Sequence, residues 1–161
     1  GAKNECLNQL TSIPDNDPAG VELQYHYDLA VEIDTMAVCL NIAHPWIGDL
    51  RITLTHVDSG DSILLVERLS DNGTEGTCSG NGTGLYVYLS DTPNPALSLQ
   101  ETCEAHNDLF GEFFANQYLT DVDLGGPFGD DQIAGDWIIN VSDESQGGVG
   151  EVRGAALHFN P

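Results

Sequence analysis

The chain has 161 residues, 40% of them apolar, with 18 glycines and 7 prolines, which suits one domain with a real core and many turns. Four Lys/Arg stand against 26 Asp/Glu, a formal net charge of −22; this excludes nucleic acid and an anionic membrane surface as partners, because both require cationic protein surface. No apolar run reaches membrane-spanning length, so membrane insertion is not expected, and the polar N-terminus does not read as a signal peptide.

Residues 1–20 read as an N-terminal arm that carries Cys6 and the oxygen-rich triplet Asp15-Asn16-Asp17. From Val21 to Ile33 apolar residues fall on every second position, the signature of one long strand, or of two with a bend near Asp28. At Asp34-Thr35 the parity shifts, and Met36, Val38, Leu40 and Ile42 carry the pattern onward; a turn or bulge there would swap the faces. A short loop, His44-Pro45-Trp46-Ile47-Gly48-Asp49, then leads into Leu50–His56, where Leu50, Ile52 and Leu54 alternate with Arg51, Thr53 and Thr55.

A turn at Asp58–Asp61 precedes a strand over Ser62–Glu67. Ser70–Gly84 is loop, rich in Gly, Asn, Thr and Ser. Leu85, Val87 and Leu89 form the inner positions of the next strand, which places Tyr86 and Tyr88 together on its outer face. Ala96–Thr120 admits short strands near Leu97 and Phe113–Tyr118, or one helical turn near Asp108–Phe114. Asp and Gly dominate Asp121–Gly135, and strands over Trp137–Ser142 and Val152–Phe159 close the chain. No segment shows a sustained helical period with caps. Eight to ten short strands separated by turn signals predict an all-β sandwich or barrel.

The cysteines Cys6, Cys39, Cys78 and Cys103 form no CxxC pair, which argues against a zinc ribbon or a thioredoxin-type site and for two disulfides formed in an oxidising compartment. Of three possible connectivities, Cys78–Cys103 would staple the glycine-rich excursion and leave Cys6 for Cys39. No GxSxG elbow is present, and no feature pairs a histidine with a nucleophile and an orienting carboxylate, so the chain is not expected to be an enzyme. His44, His56 and His158 lack metal-ligand spacing and read as ordinary hydrogen-bonded residues. The excess of carboxylates suits a solvated surface in a salty medium, and some could hold calcium, a hard cation that prefers several oxygens. The loops bearing Asp15, Asp17, Asp49 and Asp58 are the candidates; Asp61, Asp121, Asp123, Asp130 and Asp131 lie in further acidic turns, and no EF-hand pattern is complete. Trp46, in its Pro/Gly-flanked loop, is a candidate interaction residue together with Tyr86 and Tyr88.

The segment from about Ile13 to Phe159 resembles the P domain, or homo B domain, of the kexin- and furin-like proprotein convertases, its bacterial branch in particular. The residues that carry the resemblance are His44 through Gly48-Asp49-Leu50 to Thr55, Gly135-Asp136-Trp137 through Val141-Ser142-Asp143, the turn Gly147–Gly150, and the strand Val152–Phe159. The family's bacterial members often carry a Cys–Cys loop where Cys78 and Cys103 lie. Two departures are Pro45 after His44, and Ala155 where the last strand usually carries Trp. The resemblance implies a jelly-roll β-sandwich of two antiparallel sheets, non-catalytic and secreted. It would pack on a subtilisin-like catalytic domain of the same chain, stabilise it and help present protein substrate. The competing expectation is a calcium-dependent carbohydrate-binding or surface-adhesion module.

Overall fold

The computed structural model describes residues 6–161. Nine strands build a β-sandwich: β1 (Leu7–Ile13), β2 (Asp17–Tyr27), β3 (Met36–Ala43), β4 (Leu50–His56), β5 (Asp61–Glu67), β6 (Gly84–Ser90), β7 (Phe110–Phe113), β8 (Gly135–Asp143) and β9 (Gly150–Phe159). One sheet has the order β1-β9-β3-β6-β7 and the other β2-β8-β4-β5. All pairings are antiparallel except β6–β7, which is parallel.

The alternation seen in the sequence sets the layers. Leu50, Ile52 and Leu54 of β4 point inward and are fully buried, with Ile139 and Val141 of β8 beside them. Facing them from the other sheet are Val38, Leu40, Ile42, Val87, Leu89, Val152 and Ala155. In β3 the residues between the core positions are buried too, because Ala37 and Cys39 pack on the outer face with Tyr88, Ala156 and Cys6. Cys6–Cys39 and Cys78–Cys103 are both disulfide-bonded. Ala155, which stands where the resembled family carries Trp, is buried in the core.

Four expectations are corrected. The arm at residues 1–20 contains β1, which pairs with β9; residues 1–5 lie outside the described residues. Of the two readings of Val21–Ile33, the single long strand is corrected: β2 ends at Tyr27, opposite Gly135, where β8 begins, next to the bend expected near Asp28. Beyond that point Leu29 and Val31 are exposed, and Val31 and Ile33 bond instead to Ile133 and Asp131. Within Ala96–Thr120, where short strands or a helical turn near Asp108–Phe114 were expected, the chain forms a six-residue helix, α1 (Leu99–Glu104). Its signal was present: Ser98 and Glu101 form a reciprocal capping box, with Ser98 Oγ accepting from Glu101 N at 3.0 Å and Glu101 Oε1 from Ser98 N at 2.6 Å. Fewer than two turns of helix are too few to establish a period. Lastly, Phe110–Phe113, where a helical turn was one of the alternatives, forms β7.

Many loop carboxylates have structural work to do. Asp91 alone accepts hydrogen bonds from Leu119 N, Thr120 N and Asp121 N at 2.8–2.9 Å and from Thr120 Oγ1 at 3.1 Å, gathering the incoming loop onto the end of β6.

Leu54 lies in an interior strand and is fully buried. Leu54→Ala is expected to cost about 2–5 kcal/mol of unfolding free energy by urea titration. Glu22→Ala, at an exposed position of β2, should stay within about 0.5 kcal/mol of wild type.

Candidate functional site

β4 and β8 lie side by side, so the residues flanking them assemble two opposite ends of the molecule. At one end, Leu50 pairs with Asp143; at the other, His56 pairs with Trp137. A seven-residue strand separates these ends by roughly 20 Å.

The first end contains the two stretches that resemble the P-domain signature. His44 follows β3, Asp49 closes a short 3₁₀ turn over Ile47–Asp49, and Asp143 is the last residue of β8. His44 Nε2 is 2.9 Å from Asp143 Oδ2, and both side chains are fully inaccessible. The other ring nitrogen, Nδ1, accepts from Trp46 N at 3.0 Å. The ring hydrogen therefore sits on Nε2, which donates to Asp143. Asp143 Oδ1 accepts from Ser145 N at 3.1 Å.

Asp49 lies beside this pair: one ligating atom from each of His44, Asp49 and Asp143 falls within 4.8 Å of the other two. Asp49 is only 6% exposed. Burial pushes its carboxyl above the ordinary range and the charge of Asp143 adds to this, as does Asp15; His44 and Arg68 offset part of it. Its side chain accepts no hydrogen bond among the described residues. Asp49 lines a pocket of about 400 Å³ with Pro45, Trp46, Ser145, Gln146, Gly147 and Gly148.

The walls are tightly built. Gly48 N donates to Cys78 O at 2.7 Å, and Trp46 Nε1 to Gly76 O at 2.7 Å. Glu144 N donates to Asp49 O at 2.7 Å. Arg68 reaches Gly48 O through Nε at 3.2 Å and Glu75 through Nη1 at 3.3 Å. A Cβ on Gly48 would lie 2.3 Å from Gly76 O and 2.9 Å from Leu69 O, both backbone atoms, so only glycine fits. On the outside, Arg51 holds Glu67 through Nε and Nη2 and also pairs with Glu144, whose Oε2 is buried with no donor among the described residues.

At the opposite end, Ser59, His56 and Asp131 gather without forming a nucleophile relay. Ser59 Oγ at 3.0 Å and Asp131 Oδ2 at 3.3 Å both address the same nitrogen, Nδ1, while Nε2 donates to Ala134 O at 2.9 Å. A serine relay needs the hydroxyl and the carboxylate on different nitrogens. The ring also stacks on buried Trp137 at 4.1 Å. Burial raises the Asp131 carboxyl, against the hydrogen bond from Ser59. Nearby, exposed His26 lies between Asp136 Oδ1 at 2.6 Å and Asp28 Oδ1 at 2.8 Å. The hydrogen bond to Asp136, then that to Asp28, raises its pKa above 6.5.

Of the carboxylates singled out from sequence, Asp15 and Asp49 come to the first end, where Gly147 N lies 3.3 Å and 3.4 Å from the two Asp15 oxygens. Asp17 starts β2 and uses Oδ1 to accept from Ala19 N. Asp58 lies at the opposite end, beside Gly135 and Asp136 N. Asp143, expected just beyond a strand ending at Ser142 and not singled out as a ligand, joins the cluster as the last residue of β8; the β4–β8 register placed it there. Among the candidate interaction residues, Trp46 is 43% and Tyr86 36% exposed. Tyr88 shares a face with Tyr86 but is 6% exposed, covered by the Cys6–Cys39 side of the sheet rather than presented to solvent.

No family model and no curated protein matches the chain. Solved structures share its fold, two of them from the same protease. One is the serine protease of Aeromonas sobria in complex with its chaperone (TM-score 0.55, 12% identity) and the other the serine protease of Aeromonas sobria (TM-score 0.53, 13% identity). Each likeness covers 95% of this chain and 25% of the protease, so the chain spans about a quarter of the length of these neighbours.

Gly48→Ala should lower stability by about 1–3 kcal/mol in urea, because the added methyl meets two backbone carbonyls that cannot swing away. The same substitution at Gly60, where a Cβ meets nothing but φ is positive, should cost less. For His26, a folded-state pKa raised above 6.5 means its stabilisation is fully present below pH 6.5 and is lost as pH rises through the folded value. The melting-temperature difference between wild type and His26→Gln should therefore be present at pH 5, absent at pH 9, and reduced by salt, since the pair is exposed.

Proposed function

We propose that this chain is a non-catalytic accessory domain of a secreted, subtilisin/kexin-like serine protease, one that packs on the catalytic domain, stabilises it and helps present protein substrate. The observation that carries this reading is the shared fold: nearly the whole chain matches a domain-sized quarter of a bacterial serine protease. The P-domain-like stretches support it, since His44 through Leu50 and Gly135 through Asp143 meet at the buried His44–Asp143 pair. Both are spent on making a rigid end wall.

A sandwich braced by two disulfides is a stiff body. Half-exposed Trp46, its indole N–H anchored on Gly76 O, offers a fixed aromatic surface for a neighbouring domain. Such a domain stabilises its neighbour by binding only the folded form.

The coding sequence adjoining this segment should encode a subtilisin-type catalytic domain. The protease lacking this segment should inactivate at a temperature several degrees lower than the intact enzyme, and Trp46→Ala in the intact enzyme should move it the same way. The isolated chain should release no peptides from casein. A reading frame without a peptidase domain, or hydrolysis by the isolated chain, overturns the proposal. Retardation on polysaccharide gels that Trp46→Ala abolishes would replace it with the carbohydrate-binding reading.

A further inference from the structure

We propose that the outer face of β6 and β7 is a docking groove for an extended segment of a separate protein chain, one that carries an arginine or lysine close to a large apolar side chain. The proposal stands independently of the protease reading. The strand register lays the groove out. Cys39 lies beside Tyr88 and Tyr88 beside Glu112, and two residues earlier Tyr86 lies beside Phe110. Two hollows open on this face, and Tyr88 lines both. The smaller, about 210 Å³, lies among Cys39, Tyr86, Phe110 and Gly111 and is almost wholly apolar. Phe110 is 57% exposed there, a large ring left in water at the hollow's edge. The larger, about 480 Å³, has Met36, Ala37 and Tyr88 as its apolar part and the acidic residues Asp34, Asp91, Glu112 and Asp121 around them. Asp91 shapes this second hollow by collecting the amides of Leu119, Thr120 and Asp121. The wall is therefore preformed, and a partner need not order it on binding.

Charge and shape together select the occupant. Among the described residues no Lys or Arg lines either hollow. Lys3 lies outside them, and Arg51, Arg68 and Arg153 pair elsewhere, with Glu67 and Glu144, with Glu75 and with Glu151. The larger hollow thus repels anions and attracts a cation. A long cationic side chain suits it in both its parts: the methylenes lie on Met36, Ala37 and Tyr88 while the charged head reaches the acidic rim. Arginine fits better than lysine, because its planar fork engages carboxylates two bonds at a time and stacks on a tyrosine ring. The smaller hollow sets a second requirement, an apolar side chain seated between Tyr86 and Phe110. Tyr86 lines only the smaller hollow and Ser90 only the larger; along β6 they are about 13 Å apart. An extended segment running beside β6 presents same-face side chains at every second position, so its cation and its apolar residue stand about two to four positions apart. A free polyamine would satisfy only the larger hollow and a glycan only the aromatic one; a protein segment satisfies both.

The test titrates the isotope-labelled 161-residue chain with three blocked peptides followed by amide NMR: Gly-Leu-Ser-Arg-Gly, the same peptide with Gln for Arg, and the same with Ser for Leu. The first should shift the amides of Tyr86–Tyr88 and Phe110–Glu112 and bind about tenfold tighter than either of the others. Added salt should weaken it. Glu112→Gln and Asp34→Asn should each weaken the arginine peptide severalfold and leave the glutamine peptide unchanged. Phe110→Ala should weaken the arginine peptide severalfold with its salt dependence kept. Asp34 and Phe110 are exposed, so their variants supply the readout if Glu112→Gln does not fold. The absence of shifts on β6 and β7, or equal binding of the glutamine peptide, overturns the groove. A response that survives both Asp34→Asn and Phe110→Ala also overturns it, as diffuse attraction to an acidic surface. Binding that appears only once residues 1–5 are removed assigns the groove to the chain's own N-terminal segment instead. Spermidine bound as tightly as the arginine peptide, or cello- or xylo-oligosaccharides that shift the same amides where the arginine peptide does not, overturns a protein segment as the occupant.

Discussion

The buried hydrogen bond from His44 to Asp143 constrains the whole upper end of this sandwich. It ties the end of β3 in one sheet to the end of β8 in the other. A carboxylate with no accessible surface must find donors, and His44 Nε2 and Ser145 N supply them. With His44 held from both sides, the Trp46 backbone is fixed, the turn over Ile47–Asp49 follows, and Asp49 is left facing the pocket without a donor of its own. Gly48 permits this closeness, since a Cβ there would lie 2.3 Å from Gly76 O, and Gly76 itself turns at φ +82° under the Arg68 guanidinium.

The layers were legible from the alternation of apolar and polar residues, because a half-buried strand has period two and nothing else in the chain competes with it. Leu50, Ile52 and Leu54 read correctly for that reason, as did the shift of parity at Met36. The end of β2 was legible only as one of two alternatives, the bend near Asp28. Leu29 and Val31 keep the period, yet the partner strand does not extend far enough to pair them, and partner length is a tertiary fact. α1 was hidden by its brevity, although its capping box was written in Ser98 and Glu101. At the candidate site, Asp49 was visible as an acidic residue after a glycine at a strand entry. Asp143 was not distinguished from the other carboxylates near turns, because only the register of β4 against β8 makes it Asp49's neighbour. Asp17 and Asp58 looked equally suitable in sequence, and one now caps its own turn while the other sits at the far end.

The charge of −22 resolves into several uses. Asp91 collects backbone amides, Glu67 and Glu144 share Arg51, and Asp28 and Asp136 bracket His26. These carboxylates are satisfied by the protein itself. Glu144 Oε2 differs, being buried with no donor among the described residues.

The paired strands β4 and β8 run uninterrupted between the two ends, and this has an evolutionary corollary. Their separation of roughly 20 Å exceeds both the reach of screened charge at physiological salt and the range over which substitutions usually fail to add. The His44 end and the His56 end can thus diverge as separate modules on a shared spine. A lineage could rewrite the turns around Ser59 and Asp131 for a new neighbour while inheriting the Asp49 wall untouched, or do the reverse.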